Sequence, residues 1–310
     1  MLRRAWHRLR SRGAGRLLAL AVGVALLLAL AGLAVSAGPL RQRPTPLTAV
    51  TTLSLFADFA RQVGGERVEV VALLGDGVDV HGYQPTPGDL VALSRAQLLL
   101  YNGFDLEPFL GQLLAGAGRP ELVRVALAEG LPPLVTAGRP NPHFWLNPQF
   151  AVHYVERIRD AFAAADPAGA ASYHQNAARY IAELQALDAE LEQQLSVIPA
   201  ERRQLVVAHD AFPYFAQRYG FRLIGAVLSS EAQEPTPGEL LALLQQLRQA
   251  GARALFVEPQ FTSRLVEQLA RETGVRVLPL YSDAFPPDGS IRSYVDLMRA
   301  NARNIVEGLR

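Results

Sequence analysis

Three histidines and one aspartate in this sequence stand where a metal ion could be held: His81 in His-Gly-Tyr-Gln-Pro, His143 in Asn-Pro-His-Phe-Trp, His209 in Val-Ala-His-Asp and Asp283 in Tyr-Ser-Asp. Each lies in a loop after a strand-like or turn-rich run. Imidazole nitrogen suits zinc and its transition-series neighbours, and one carboxylate adds compensating charge and widens the choice toward manganese. Three imidazoles and a carboxylate complete a tetrahedral zinc shell, which suits binding rather than catalysis because catalytic zinc keeps a position for water. Successive candidates are 62, 66 and 74 residues apart. No local metal motif is present, and the fold must bring the loops together. Taken singly, each histidine reads better as a loop residue bonded to backbone; taken together with Asp283 at one topological place, they favour a shared site. His153 and His174 fall on expected helices among polar neighbours and read as surface residues.

Other side chains flank the four. Asp210 adjoins His209 and Glu258 ends a strand, so either could orient a ligand imidazole by hydrogen bonding, with helix capping or surface exposure as the alternative. Tyr83, Phe144, Trp145 and Phe212 are aromatic neighbours suited to keep water from the ion, or simply to pack the core.

The positioning elements alternate. Leu47 to Thr52 reads as a strand, Leu53 to Val63 as a helix, and Val68 to Leu74 as a buried strand ahead of the His81 loop. Thr86-Pro87-Gly88-Asp89 marks a helix start: Thr as N-cap, Pro at the first helical position, and an acid three residues past the cap. The same Pro-Thr-Pro-Gly-acid-Leu pattern returns at Pro235 to Leu240, again before a helix and a buried strand, which suggests two similar halves. Between them, Pro167 to Ile198 carries Tyr180, Leu184, Leu187, Leu191 and Leu195 on one helical stripe. The expected fold is α/β: two lobes of parallel sheet covered by helices, 47–166 and 199–310, joined by one long helix over 167–198. Ligands in such sheets bind beyond the carboxyl ends of the strands.

Composition narrows the classes. The chain has 310 residues and a formal net charge of +1, yet six of its 30 basic residues precede position 17, where there is no acid. The remainder holds 24 basic against 29 acidic residues, which argues against nucleic acid as a partner. There is no cysteine, so thiolate ligation, disulfides and a lipid-modified cysteine are excluded for this sequence. Residues 1–37 read as a signal peptide, with Val35-Ser36-Ala37 as a cleavage site, or as a retained membrane anchor, since the apolar run from Leu17 is long enough to span a bilayer. A linker follows over 38–46. Either way the rest is expected outside the cytoplasm.

Several motifs, in order, resemble the substrate-binding proteins of bacterial ABC importers for zinc and manganese: His81-x-Tyr-x-Pro-x-Pro-x-Asp89, Asn102-Gly103-x-x-Leu106-Glu107, Pro142-His143-x-Trp145-Leu146-x-Pro148, Tyr173-x-x-Asn176, His209-Asp210-Ala211-Phe212 and Phe256-Val257-Glu258-Pro259-Gln260. The resemblance implies His81, His143, His209 and Asp283 as ligands, no catalytic residues, and a monomer that passes its ion to a membrane permease with a cytoplasmic ATPase. The second loop departs from the family pattern Asp-Pro-His-x-Trp-Leu-Asp-Pro, because both acids are amides here, Asn141 and Asn147. The His-rich loop of many zinc members is also absent. Manganese members often place Glu at the third ligand, so His209 favours zinc, with manganese second. The rival expectations are a secreted zinc hydrolase and a metal-binding surface adhesin.

Overall fold

The computed structural model describes residues 46–136, 138–207, 209–226, 251–259 and 274–310, with isolated positions between 238 and 249 and at 271. The targeting segment, the linker up to 45, the second Pro-Thr-Pro-Gly cap and nearly all of the helix expected at 263–273 lie outside the described residues. Among the described residues no helix is long and apolar enough to cross a membrane.

The first half runs β1 (Leu47–Thr51), α1 (Ser54–Gly64), β2 (Val68–Ala72), α2 (Pro87–Arg95), β3 (Leu98–Tyr101), α3 (Leu110–Ala117) and β4 (Val123–Ala126). Its strands are all parallel in the order β2-β1-β3-β4. A two-stranded antiparallel pair, β5 (Val135–Thr136) and β6 (Arg139–Pro140), follows and leads into α4 (Pro148–Ala165) and α5 (Ala170–Leu195). The second half comprises β7 (Gln204–Val207), α6 (Pro213–Tyr219), β8 (Arg222–Ala226), β9 (Ala254–Val257), β10 (Arg276–Pro279) and α7 (Tyr294–Leu309). Its order is β8-β7-β9-β10, again parallel. Numbered within its own half, each sheet is therefore arranged second, first, third, fourth. The direction of winding reverses between the first and third strands of each, which is where doubly wound sheets open a crevice.

Local chemistry explains the helix starts. Asp89 accepts hydrogen bonds from the Thr86 backbone N–H at 2.6 Å, the Thr86 hydroxyl at 2.9 Å and the Tyr83 hydroxyl at 2.8 Å. One carboxylate thus caps α2 and fastens the chain just after His81 to it. Asn147 caps α4 by accepting from Gln149 N–H, with Pro148 at the first helical position. The long helix α5 has 26 residues, about 39 Å at 1.5 Å per residue. Its buried side includes Tyr173, Ala177, Tyr180, Leu184, Leu187, Leu191 and Leu195, and it packs against α1 and α4 on one side of the chain and α7 on the other.

Within that apolar stripe sits Asp188, only 8% exposed. It accepts from Arg218 Nε and Nη2 at 2.9 Å each, from the Tyr219 hydroxyl at 2.9 Å and from Gln149 Nε2 at 3.0 Å. Tying α4, α5 and α6 together through one nearly buried carboxylate makes its loss expensive. Replacing Asp188 with Ala is expected to lower the unfolding free energy by about 3 kcal/mol, because Arg218 and Tyr219 lose a shared acceptor; denaturant titration by circular dichroism measures this.

Candidate metal centre

Each of the four candidate residues is placed by the end of a strand or by the turn that follows it. His81 lies beyond β2 in a turn held by Asp79, whose carboxylate accepts from the His81 and Gly82 backbone N–H groups at 3.0 and 3.2 Å. His143 immediately precedes the 3-10 turn Phe144–Leu146. His209 follows β7, and Asp283 follows β10. One ligating atom from each of the four comes within 4.8 Å of the other three. The imidazole centroids stand 4.7 to 5.5 Å apart.

Asp283 lies at the centre. It is 1% exposed, and neither carboxylate oxygen accepts a hydrogen bond from a described group. Instead the oxygens face His81 Nε2 at 3.5 Å, His143 Nε2 at 3.6 Å and His209 Nδ1 at 4.0 Å. Burial pushes this carboxyl up, but the His143, His81 and His209 rings together hold it below its ordinary value. His143 and His209 are buried, whereas the His81 side chain is 19% exposed, so the cluster meets solvent on the His81 side.

Two of the rings are oriented from behind. Asn141 Oδ1 accepts from the His143 backbone N–H at 3.1 Å and from its Nδ1 at 3.0 Å. Glu258 Oε1 accepts from His209 Nδ1 at 3.1 Å, both residues being 1% exposed. A proton on Nδ1 leaves the lone pair on Nε2, the tautomer a metal needs. Asn141 also donates from Nδ2 to the Asp210 carbonyl at 2.7 Å and to Thr136 Oγ1 at 3.2 Å. A carboxylate at position 141 could make neither donation, which gives a physical reason for the amide that departs from the family motif.

The candidates for supporting roles divide. Glu258 holds an imidazole. Asp210 is half-buried and contributes its backbone carbonyl to Asn141 rather than its carboxylate to His209. Trp145 is fully buried, packs its ring 5.3 Å from that of His143, and donates Nε1–H to the Ser282 carbonyl at 2.9 Å, which ties the second loop to the fourth. Phe212 is fully buried and packs on Phe215. Phe144 stacks on Tyr214 at 4.5 Å. Tyr83 is only half-buried, with its ring on Phe109 and its hydroxyl on Asp89. Of the remaining histidines, His174 is exposed, while His153 is half-buried with Nε2 on the Glu129 carbonyl at 2.8 Å. Sequence reading passed over Asn141 as an imidazole holder and Ser282 as an anchor. The signals for Asn141 were an Asx two residues before a histidine and its place at the first acid of the family motif, and a backbone carbonyl such as that of Ser282 leaves no trace in residue type.

Residues 49–308 match the profile of a family described as the periplasmic zinc-uptake complex component A. The manganese-binding lipoprotein MntA of Halalkalibacterium halodurans is 32% identical over 265 residues, covering 85% of this chain and 88% of its own length. The iron-binding protein YfeA of Yersinia pestis is 32% identical over 266 residues, covering 84% and 85%. Among solved structures, the periplasmic zinc-binding protein TroA of Treponema pallidum superposes with a TM-score of 0.79 at 30% identity, covering 85% of this chain and 99% of that one. The chain belongs to the periplasmic zinc-uptake component A family, the extracytoplasmic metal-binding solute-binding proteins of ABC importers.

Proposed function

We propose that this protein captures one divalent transition-metal ion through His81, His143, His209 and Asp283, prefers zinc to manganese, and surrenders the ion to the permease of its importer. The observation that carries this reading is the convergence of one donor atom from each of four distant loops within 4.8 Å. A buried aspartate whose oxygens accept no hydrogen bond from a described residue supports it, because a buried carboxylate is costly unless a cation or donor compensates it. Relatives are named for manganese, iron and zinc, so the choice of zinc rests on the donors. Three nitrogens and one oxygen favour zinc over the harder manganese ion, and four protein donors complete the tetrahedral shell.

The exposed edge of His81 is the side by which the ion enters and leaves. Lobes at 47–166 and 199–310, joined over 167–198, would supply two ligand loops each. The long helix α5, packed against α1, α4 and α7, should resist wide opening, so release proceeds by local movement of the loops. Capture by a single chain needs no second copy.

Replacing His143 with Ala is expected to abolish tight binding of one equivalent of zinc in calorimetry; wild-type affinity in that variant would remove His143 from the site. Glu258→Gln should weaken zinc by about 10–100-fold, because the carboxylate raises the basicity of the His209 ring as well as orienting it. Competition with a chromophoric chelator reads that change. Small-angle scattering should give closely similar radii of gyration with and without zinc, and a large expansion on metal removal would rule out release by loop movement alone.

A further inference from the structure

The reversal point of each sheet is bridged by a buried glutamate. In the second half, Glu258, just past β9, reaches His209, just past β7. In the first half the equivalent strands are β1 and β3, followed by Thr52 and Asn102. Glu107 Oε1 accepts from the Thr52 hydroxyl at 2.8 Å and from the Asn102 backbone N–H at 2.7 Å, and Oε2 accepts from Gly103 N–H at 3.3 Å. Glu107 is 7% exposed, and Thr52 and Asn102 are fully buried. The crevice that a doubly wound sheet opens at this point is thus closed in both halves by a carboxylate of the chain itself.

The first bridge contains no histidine, but it leads to one. Asn102 donates from Nδ2 to the Gly103 carbonyl at 2.9 Å and to the Pro142 carbonyl, also at 2.9 Å, while its Oδ1 accepts from the Tyr154 hydroxyl. Pro142 is the residue before His143. The turn that presents Asn102 is conformationally demanding: Gly103, Phe104 and Asp105 have φ of 88°, 52° and 58°. Two successive non-glycine residues in the left-handed region are costly and persist only where the surroundings hold them. Here the holder is the Glu107 side chain, folded back onto its own turn.

We propose that Glu107 serves His143 as Glu258 serves His209, as a positioning residue that acts through Asn102 on the main chain one residue ahead of the second ligand. The proposal rests on the metal-capture reading above. It gives the Asn102-Gly103-x-x-Leu106-Glu107 motif a function that its place outside the cluster hides. Burial pushes the Glu107 carboxyl up to about 7 despite its hydrogen bonds, and among the described residues the Tyr154 side chain faces it. Between about 4.5 and about 7 the folded state binds this proton more tightly than the unfolded chain. Glu107 therefore withdraws stability as pH rises across that window. A neutral, isosteric amide would remove that loss while turning a donor toward the Gly103 N–H, so that the left-handed turn over 103–105, and with it the Asn102 side chain, loses its hold.

The test is zinc calorimetry and metal-free thermal unfolding at pH 8 on the wild type, Glu107→Gln, Asn102→Ala and, as a distant core control, Leu191→Ala. Positioning predicts that Glu107→Gln and Asn102→Ala bind zinc about 10–100-fold more weakly, and that the visible spectrum of bound Co2+ changes in both. It also predicts that metal-free Glu107→Gln unfolds no earlier than wild type, and that Leu191→Ala loses stability but keeps wild-type affinity. If Asn102→Ala does not fold, Glu107→Gln decides alone. Wild-type affinity and spectrum in a folded Glu107→Gln overturn the proposal, as does affinity that falls in step with stability across all variants including Leu191→Ala. A wild-type protein that takes up no metal overturns the metal-capture reading itself, and the positioning role with it.

Discussion

A carboxylate with almost no access to water must be neutralised by its surroundings, and Asp283 sets that condition for everything near it. Among the described residues neither of its buried oxygens has a hydrogen-bond donor within ordinary distance, and three imidazoles stand around them. Hydrogen bonds from backbone N–H groups would have stabilised the charge just as well, but they would also have occupied the lone pairs. Here the lone pairs face three imidazoles instead. That arrangement requires the imidazoles to stay close enough to compensate the charge, and so it governs the four loops that carry them and Asp283.

The loops meet the requirement by holding one another. Trp145 Nε1 reaches the Ser282 carbonyl, the Tyr294 hydroxyl reaches the Trp145 carbonyl at 2.6 Å, and Tyr294 N–H in turn donates to Asp58 on α1 at 2.8 Å. Asn141 joins the second loop to the third through Asp210, and the Tyr214 hydroxyl donates to the Asn141 carbonyl at 2.6 Å. Most of these bonds end on backbone carbonyls, which fix the path of the chain rather than the identity of a neighbour. Buried polar networks of this kind specify one arrangement when every member is satisfied.

The sequence made the alternating elements readable because their signals are local. The cap at Thr86 and Asp89, the apolar stripe of α5 and the β-branched strands each announce themselves within a few residues. The helix α3 escaped notice because it is short, carries Gly111 and Gly116, and starts at Phe109 without a capping side chain. The pair β5 and β6 has two residues per strand, too few for any periodicity. At the cluster, residue chemistry and loop position pointed to His81, His143, His209 and Asp283, and the same reasoning offered Asp210 and Glu258 on equal terms. Only their places relative to β7 and β9 separate them, since Glu258 lies across from His209 whereas Asp210, beside it in sequence, accepts from Asn141. The common strand order of the two sheets could not be read from the chain, since pairing partners 18 or more residues apart leave no mark on local pattern.

The place of Trp145 has an optical consequence. The sequence contains two tryptophans, and the other, Trp6, lies in the arginine-rich first sixteen residues. Every photon absorbed and re-emitted by an indole within residues 38–310 therefore comes from one ring, lodged between the second and fourth loops with its N–H on a carbonyl next to Asp283 and its face near His143. Indole emission responds to the polarity and hydrogen bonding of its surroundings, and this one is hydrogen-bonded from the second loop to the fourth. The fold has set a built-in gauge at the seam of the site, and its signal follows the local state of the site rather than the shape of the whole molecule.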